Sequence, residues 1–127
     1  MTDWARNDLE RIGAAEELQL ATFKKDGTPR PPVTIWVVRV GDELYVRGYR
    51  GPETAWFRQA QLRHEGHMEA GGVTKDVTFV DVSSDEALNH EIDAAYRSKY
   101  QRYSRTYVDP MIASQARATT LKLVPSA

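Results

Sequence analysis

Cysteine is absent from the 127-residue sequence, which excludes disulfides, thiolate metal sites, iron–sulfur clusters and cysteine nucleophiles together. An excess of charge of one sign is also missing. Seventeen basic residues against 18 acidic ones leave a net charge of −1, so no polycationic field exists to collect nucleic acid or anionic lipid. No apolar run approaches the about 20 residues that cross a bilayer. The opening MTDWARND carries acids and no apolar signal core, so a cytoplasmic protein is expected rather than a secreted or imported one. Repeats, linkers and low-complexity segments are lacking, as are a P-loop, a dinucleotide fingerprint, a nucleophile elbow and a usefully spaced carboxylate pair. If the protein is an enzyme, its reactive atoms belong to a cofactor.

What is present suits one ordinary domain of roughly 100–150 residues, with 41% hydrophobic and 28% charged residues. Residues 2–17 have helical spacing of Trp4, Leu9, Ile12 and Ala15, with Thr2 as N-cap. Residues 18–23 alternate with period two and lead into Asp26-Gly27, a tight-hairpin pair. After Pro29-Arg30-Pro31-Pro32, whose prolines cannot donate to a ladder, one strand is expected over 33–40, and a third over 43–49 beyond Gly41-Asp42. Thr54 is positioned to cap a short helix over 55–60. Residues 63–70 and 73–82 then read as a hairpin split by Gly71-Gly72. Ser83 to Glu86 forms a capping-box sequence opening a long helix over 83–108, which Asp109-Pro110 ends or interrupts. A closing strand over 118–125 has no local partner and must return to an earlier strand. The expectation is an α+β domain built on a six-stranded antiparallel barrel with flanking helices.

The sharpest chemical cluster is Arg47-Gly48-Tyr49-Arg50-Gly51-Pro52-Glu53-Thr54, where a strand delivers two guanidinium groups to a helix N-terminus. Free N–H groups, the positive end of the helix dipole and the hydroxyls of Tyr49 and Thr54 would complete a phosphate receptor. Arg47 and Arg50 face opposite ways on a continued strand, so the site requires a bend near Gly48 or Gly51. The competing reading is an ordinary turn rimmed by solvated arginines. His64, Glu65, His67 and Glu69 superficially resemble a metal set, but on a strand His64 and His67 point to opposite faces, and His90 falls on the polar side of a helix. Tyr96, Tyr100 and Tyr103 recur at helical spacing as a packing stripe. The basic residues among them could bind single-stranded nucleic acid, against which the acidic balance argues, or Lys99 or Arg102 could reach a bound anion or a partner subunit.

The runs Gly27-Thr28-Pro29-Arg30-Pro31-Pro32-Val33, Val40-Gly41-Asp42-Glu43-Leu44-Tyr45-Val46 and Gly51-Pro52-Glu53-Thr54-Ala55-Trp56-Phe57 resemble the flavin and deazaflavin split-barrel superfamily, in particular its deazaflavin-dependent nitroreductase branch. The segments 96–100 and 119–125 resemble an uncharacterised bacterial family of the same superfamily. The resemblance implies a split barrel, a homodimer with two cofactors at the subunit interface, and FMN or deazaflavin coenzyme F-420 as cofactor, serving hydride transfer to a small-molecule substrate. It places Arg47, Tyr49, Arg50, Gly51 and Thr54 at the phosphate or anionic tail, and Pro32, Val33, Thr34 and Ile35 against the ring. Trp56 matches the family's helix aromatic. Two departures are the loop shortened to Arg50-Gly51-Pro52-Glu53, and Arg58-Gln59-Ala60 where an Asn often follows the aromatic pair. A non-catalytic cofactor-binding or interaction module is the alternative function.

Overall fold

Two residues, Trp36 and Val37, decide the architecture. In the computed structural model, which describes residues 3–126, the strand expected over 33–40 is broken at them. Strand β1 (Leu18–Thr22) pairs with β2 (Val33–Ile35), whereas β3 (Val38–Val40) pairs with β4 (Glu43–Val46). With β5 (Glu65–Ala70), β6 (Val73–Asp81) and β7 (Leu121–Pro125), the strands form one antiparallel sheet in the order β2-β1-β5-β6-β7-β4-β3. The sheet thus has seven strands rather than six, and two strands adjacent in sequence lie at its opposite edges. A flat sheet of this size is about 29 Å across, yet Ile35 and Val38 are three Cα steps apart, at most about 11 Å. The sheet therefore curls until its edges meet, as a barrel with a seam between β2 and β3. The closing strand β7 returns between β4 and β6, as its sequence requires.

Inward-facing Leu18, Leu20, Val37, Leu44, Val46, Met68, Val77, Phe79 and Leu123 fill the barrel. Leu9 and Ile12 of α1 (Arg6–Ala14) join the same core, as do Trp56, Phe57 and Ala60 of α2 (Ala55–Arg63). Trp4 reaches it as well, donating its indole N–H to the Leu123 carbonyl at 2.9 Å. The opposite side of β3 and β4 carries a second core. There Val38 and Tyr45 pack with Ile92 and Tyr96 of α3 (Glu86–Lys99), with Tyr100 just beyond it, and with Val108 and Met111 of α4 (Arg105–Ile112).

Local sequence signals misplace several helix ends. Helix α1 begins at Arg6 after Ala5, and the expected cap Thr2 lies outside the described residues. Asp85 rather than Ser83 caps α3, its Oδ1 accepting the Leu88 N–H at 3.1 Å. The expected long helix stops at Lys99, and Pro110 sits inside α4 instead of ending the helical stretch. A short α5 (Ser114–Arg117) follows.

The seam is held from α3. Without a strand partner, the Val37 N–H is donated to the Tyr100 hydroxyl at 3.3 Å, and the Val37 carbonyl accepts from Lys99 Nζ at 2.6 Å. The Tyr100 hydroxyl passes its own proton to the Glu16 carbonyl at 2.6 Å. Trp36 stacks on the Tyr100 ring at 3.9 Å and 5° between planes. Burial pushes the Tyr100 phenol well above its ordinary range, so it stays a protonated donor, and pushes Lys99 down to about 8.

A second clamp gathers the helices around the end of β4. Arg47 is 1% exposed, and its Nε donates to Thr120 Oγ1 at 2.9 Å. Nη1 donates to Asp93 Oδ1 at 2.5 Å and to the Met111 carbonyl at 3.0 Å, and Nη2 to the side-chain and backbone oxygens of Asn89. Asp93 also accepts from Arg117 Nε at 2.9 Å. Burial opposes ionisation of Asp93, but hydrogen bonds and charge from Arg117 and Arg47 outweigh it and hold the carboxyl below its ordinary range.

Tyr100→Phe keeps the stack but leaves the Val37 N–H and Glu16 carbonyl unpaired, so urea unfolding should show a loss of about 1–3 kcal/mol. A variant as stable as the wild type would show that the seam is held otherwise. Asp93→Asn leaves the Arg47 charge buried without its counter-ion, and a loss of about 3–5 kcal/mol is expected. Because the folded-state pKa of Asp93 is depressed, its contribution is complete above the unfolded value near 3.8 and is lost as pH falls through the folded value. The acid limb of the unfolding midpoint against pH should therefore flatten in Asp93→Asn.

Candidate functional site

Breaking the 33–40 strand leaves β2 as a sheet edge with Val33 and Thr34 exposed, facing α2 across a cleft of about 700 Å³. Its walls are β2 with the preceding Arg30 and Pro31, the turn after β4, and the first half of α2. Tyr107 and Met111 of α4 roof it. Apolar or aromatic residues make up more than half of the lining, among them Val33, Ile35, Trp36, Trp56, Tyr107 and Met111. Three of the large hydrophobic side chains left exposed on the described surface, Val33 at 41%, Tyr49 at 47% and Tyr107 at 57%, all stand on this cleft. Apolar exposure concentrated in one concavity marks a binding site.

The turn after β4 bends as the Arg47 and Arg50 spacing requires. Gly51, at φ 67°, opens a 3-10 turn over Gly51–Glu53, and a Cβ there would lie 2.9 Å from the Gln115 backbone oxygen. A Cβ on Gly48 would meet Thr54 Oγ1 at 2.6 Å. Both glycines are thus required by close packing as well as by turning. The Gly48 N–H is donated to Thr119 Oγ1 at 2.7 Å, which ties the turn to the strand-β7 approach.

Thr54 stands at the N-cap of α2, but its side chain does not cap the helix. Its Oγ1 instead accepts the Arg50 N–H at 3.0 Å. The first backbone N–H to find a helical acceptor is that of Arg58, bonded to the Thr54 carbonyl. The N–H groups of the first turn are therefore left for another acceptor, and Ala55 and Trp56 of that turn line the cleft beside exposed Arg50.

Eight of the ten residues expected at the site line this cleft: Val33, Thr34, Ile35, Arg47, Tyr49, Arg50, Thr54 and Trp56; Pro32 and Gly51 do not. The expectation for Arg47 is corrected in chemistry even though it borders the cleft. All five of its N–H donors are committed within the protein, so Arg50 is the arginine of the pair with a guanidinium available to a ligand. Sequence reasoning missed Gln59, Trp36, Tyr107 and Met111, and it placed Arg30 in a motif without a role. The Gly-x-Pro-Arg run was the signal for Arg30, whereas nothing local marks α4 as a roof.

The remaining candidates take structural places. No group of three metal-ligating side chains occurs among the described residues. His64 is the left-handed C-cap of α2, and His67 Nδ1 lies 2.6 Å from Asp76 Oδ1 on the sheet exterior. Tyr96 and Tyr100 are core residues, with the Arg47 guanidinium 5.5 Å from the Tyr96 ring centre. Lys99 is bonded to Val37 and Arg102 is paired with Glu16. Among the described residues no helix is long and apolar enough to cross a membrane.

Known structures share this architecture. A proposed pyridoxamine 5'-phosphate oxidase from Listeria innocua superposes with a TM-score of 0.63 at 12% identity, covering 94% of this chain and 90% of its own. An F-420 reductase gives 0.54 at 14% identity, covering 93% and 92%. A pyridoxamine 5'-phosphate oxidase-related, FMN-binding protein from Nostoc punctiforme gives 0.51 at 17% identity, covering 91% and 73%. At these identities the likeness is one of fold, the split barrel with its flanking helices. No curated protein matches the chain by sequence. Residues 8–123 match the family described as "Uncharacterized protein conserved in bacteria (DUF2255)", and the chain, a split barrel with an apolar cleft between its edge strand and an uncapped helix, belongs to that family.

Proposed function

We propose that the protein is a small cytoplasmic oxidoreductase that holds FMN or deazaflavin coenzyme F-420 in the cleft between β2 and α2 and serves hydride transfer to a small organic substrate. The observation that carries this reading is the juxtaposition, in one cleft, of an apolar edge strand, a first helical turn whose N–H groups have no cap, and the exposed guanidinium of Arg50. An apolar planar ring with an anionic tail is the ligand shape that satisfies all three. The names of two structural relatives, an F-420 reductase and an FMN-binding protein, support the choice of ring.

Either cofactor supplies a ring that carries two electrons and a proton as hydride. The chain's own residues bind and orient. Arg50 and the N–H groups of Ala55 and Trp56 would hold the anionic tail, with Thr54 keeping the turn in place through the Arg50 N–H. Val33, Thr34 and Ile35 would support the ring, and Trp56 and Met111 would exclude water from its surroundings. The absence of cysteine fits this division of labour, since no side-chain nucleophile is needed. A second copy of the chain covering exposed Val33, Tyr49 and Tyr107 would close the open side, so a homodimer belongs to the same proposal.

Absorbance and fluorescence titrations with FMN and F-420 should show binding of one of them by the wild type. Arg50→Ala should weaken it at least about tenfold, since a charge-assisted contact contributes about 1.5–3 kcal/mol. Equal affinity in the variant would remove Arg50 from the site, and failure of both cofactors to bind would remove the reading itself. Turnover with reduced cofactor and a nitroaromatic acceptor then separates an enzyme from a carrier. In sedimentation velocity, a species of twice 14.4 kDa is expected, and Tyr107→Glu should shift it towards the monomer. A wild type that stays monomeric at high micromolar concentration rules out the shared site.

A further inference from the structure

The inner corner of the cleft, half-way along α2, has a polarity of its own. Thr22 at the end of β1 is 3% exposed, so its hydroxyl proton must be donated within the protein. Among the described residues its acceptor is Gln59 Oε1 at 2.9 Å. The same hydroxyl oxygen accepts from Arg30 Nη1 at 3.2 Å, and that nitrogen also donates to the Phe23 carbonyl at 2.9 Å. The backbone fixes this arrangement, because the Arg30 N–H is bonded to the Thr22 carbonyl at 2.8 Å across the end of the first hairpin.

This chain of bonds sets the direction of every remaining group. With Oε1 committed to Thr22, Gln59 presents its amide Nε2 to the cleft it lines. Arg30, half-buried in the same wall, has Nε and Nη2 left over. Neither Gln59 Nε2 nor those Arg30 nitrogens has an acceptor among the described residues. The corner is therefore composed of donors alone: an amide NH₂ and the free edge of a guanidinium, backed by a buried hydroxyl that keeps both in place.

A corner with only donors, one of them cationic, is matched by an oxyanion and by no donor group. It is separate from the tail-binding end of α2. Gln59 follows Ala55 by four residues, so the two lie on one face of the helix about 6 Å apart along its axis. The charged side chains around the cleft are Arg30, Arg47, Arg50 and Glu53. Because every N–H donor of Arg47 is committed within the protein, the guanidinium groups open to a ligand in the cleft are those of Arg30 and Arg50, and Glu53 is the one acid that lines it.

We propose that Arg30 and Gln59 form a second oxyanion seat in the cleft, which takes the carboxylate or phosphate of a small molecule with an apolar body. The donor geometry carries this assignment whichever cofactor is bound, and two sources could bring the group: an organic acid acting as substrate, or the cofactor's own phosphate, seated here in place of the first turn of α2.

Gln59→Glu and Gln59→Leu test it. The glutamate still accepts from Thr22 but turns a carboxylate oxygen towards the cleft, where it pairs with Arg30 and occupies the seat. The leucine removes the donor. Both variants are first checked by thermal unfolding, and Arg30→Lys serves as a third if either fails to fold, since it keeps the charge and loses the forked donors. The probes are benzoate against benzyl alcohol, and FMN against riboflavin, followed by quenching of tryptophan fluorescence. If a substrate acid uses the seat, the wild type prefers benzoate and Gln59→Glu weakens it about tenfold or more, with benzyl alcohol unmoved. If the cofactor uses it, the preference for FMN over riboflavin shrinks by a similar factor in Gln59→Glu. Either result supports the seat and names its source. A folded set of variants in which neither preference changes, or a wild type with neither preference, overturns it.

Discussion

The two-residue crossing at Trp36 and Val37 is the constraint on which the remaining structure depends. Because β2 and β3 lie at opposite edges of one sheet and are joined by so short a segment, the sheet has no flat alternative. That crossing also leaves the Val37 N–H and carbonyl without a partner strand. A buried N–H and C=O left unpaired would each cost about 1–3 kcal/mol, and Tyr100 and Lys99 supply the partners. The end of α3 is thereby fixed by the barrel rather than by its own sequence, which accounts for the helix ending at Lys99 although its residues could continue. Once α3 is placed against β3 and β4, the chain after it can fold back as α4 over the cleft.

Arg47 shows how a locally plausible anion receptor becomes a structural centre. Its position after β4 puts it between two cores, where a guanidinium without partners would be prohibitive. Asp93, Asn89 and Thr120 come from α3 and the approach to β7, elements more than 40 residues away in sequence. The bonds draw those elements to the strand end, and the same bonds take Arg47 away from any ligand. The neighbouring Arg50 keeps its exposure because the Gly51 turn carries it out of the interior. Two arginines three residues apart thus have opposite fates, decided by a bend at one glycine.

Much of this was legible in the sequence because it rests on local chemistry. Period-two alternation located β1 and β5, β-branched and aromatic content located β6, and the run stopped by Pro125 located β7; the Asp26-Gly27 pair located the first hairpin, and the Arg47-to-Thr54 run located one wall of the cleft. What was not legible rests on distant contacts. The break within 33–40 leaves no local trace, since Trp36 and Val37 have high strand propensity and are unpaired only because the sheet closes. The capping box at Ser83 competed with a second good cap two residues on, and Asp85 is the one that bonds. Pro110 was read as a stop, yet α4 contains it. The burial of Arg47 could not be foreseen because its counter-ion is 46 residues away.

Seam and cleft are finally one feature. A barrel strand that ran unbroken over 33–40 would keep both its edges paired, and the Pro31-Pro32 pair leading into it and exposed Val33 would be a defect. Divided at Trp36, the strand presents an edge where missing proline N–H groups cost nothing and where apolar side chains have no core to enter. The aromatic that marks the break, Trp36, is anchored behind on Tyr100 and lines the cleft in front. Loss of the Tyr100 anchor would thus be felt in the cleft as well as in stability, because Trp36 belongs to both the wall and the seam.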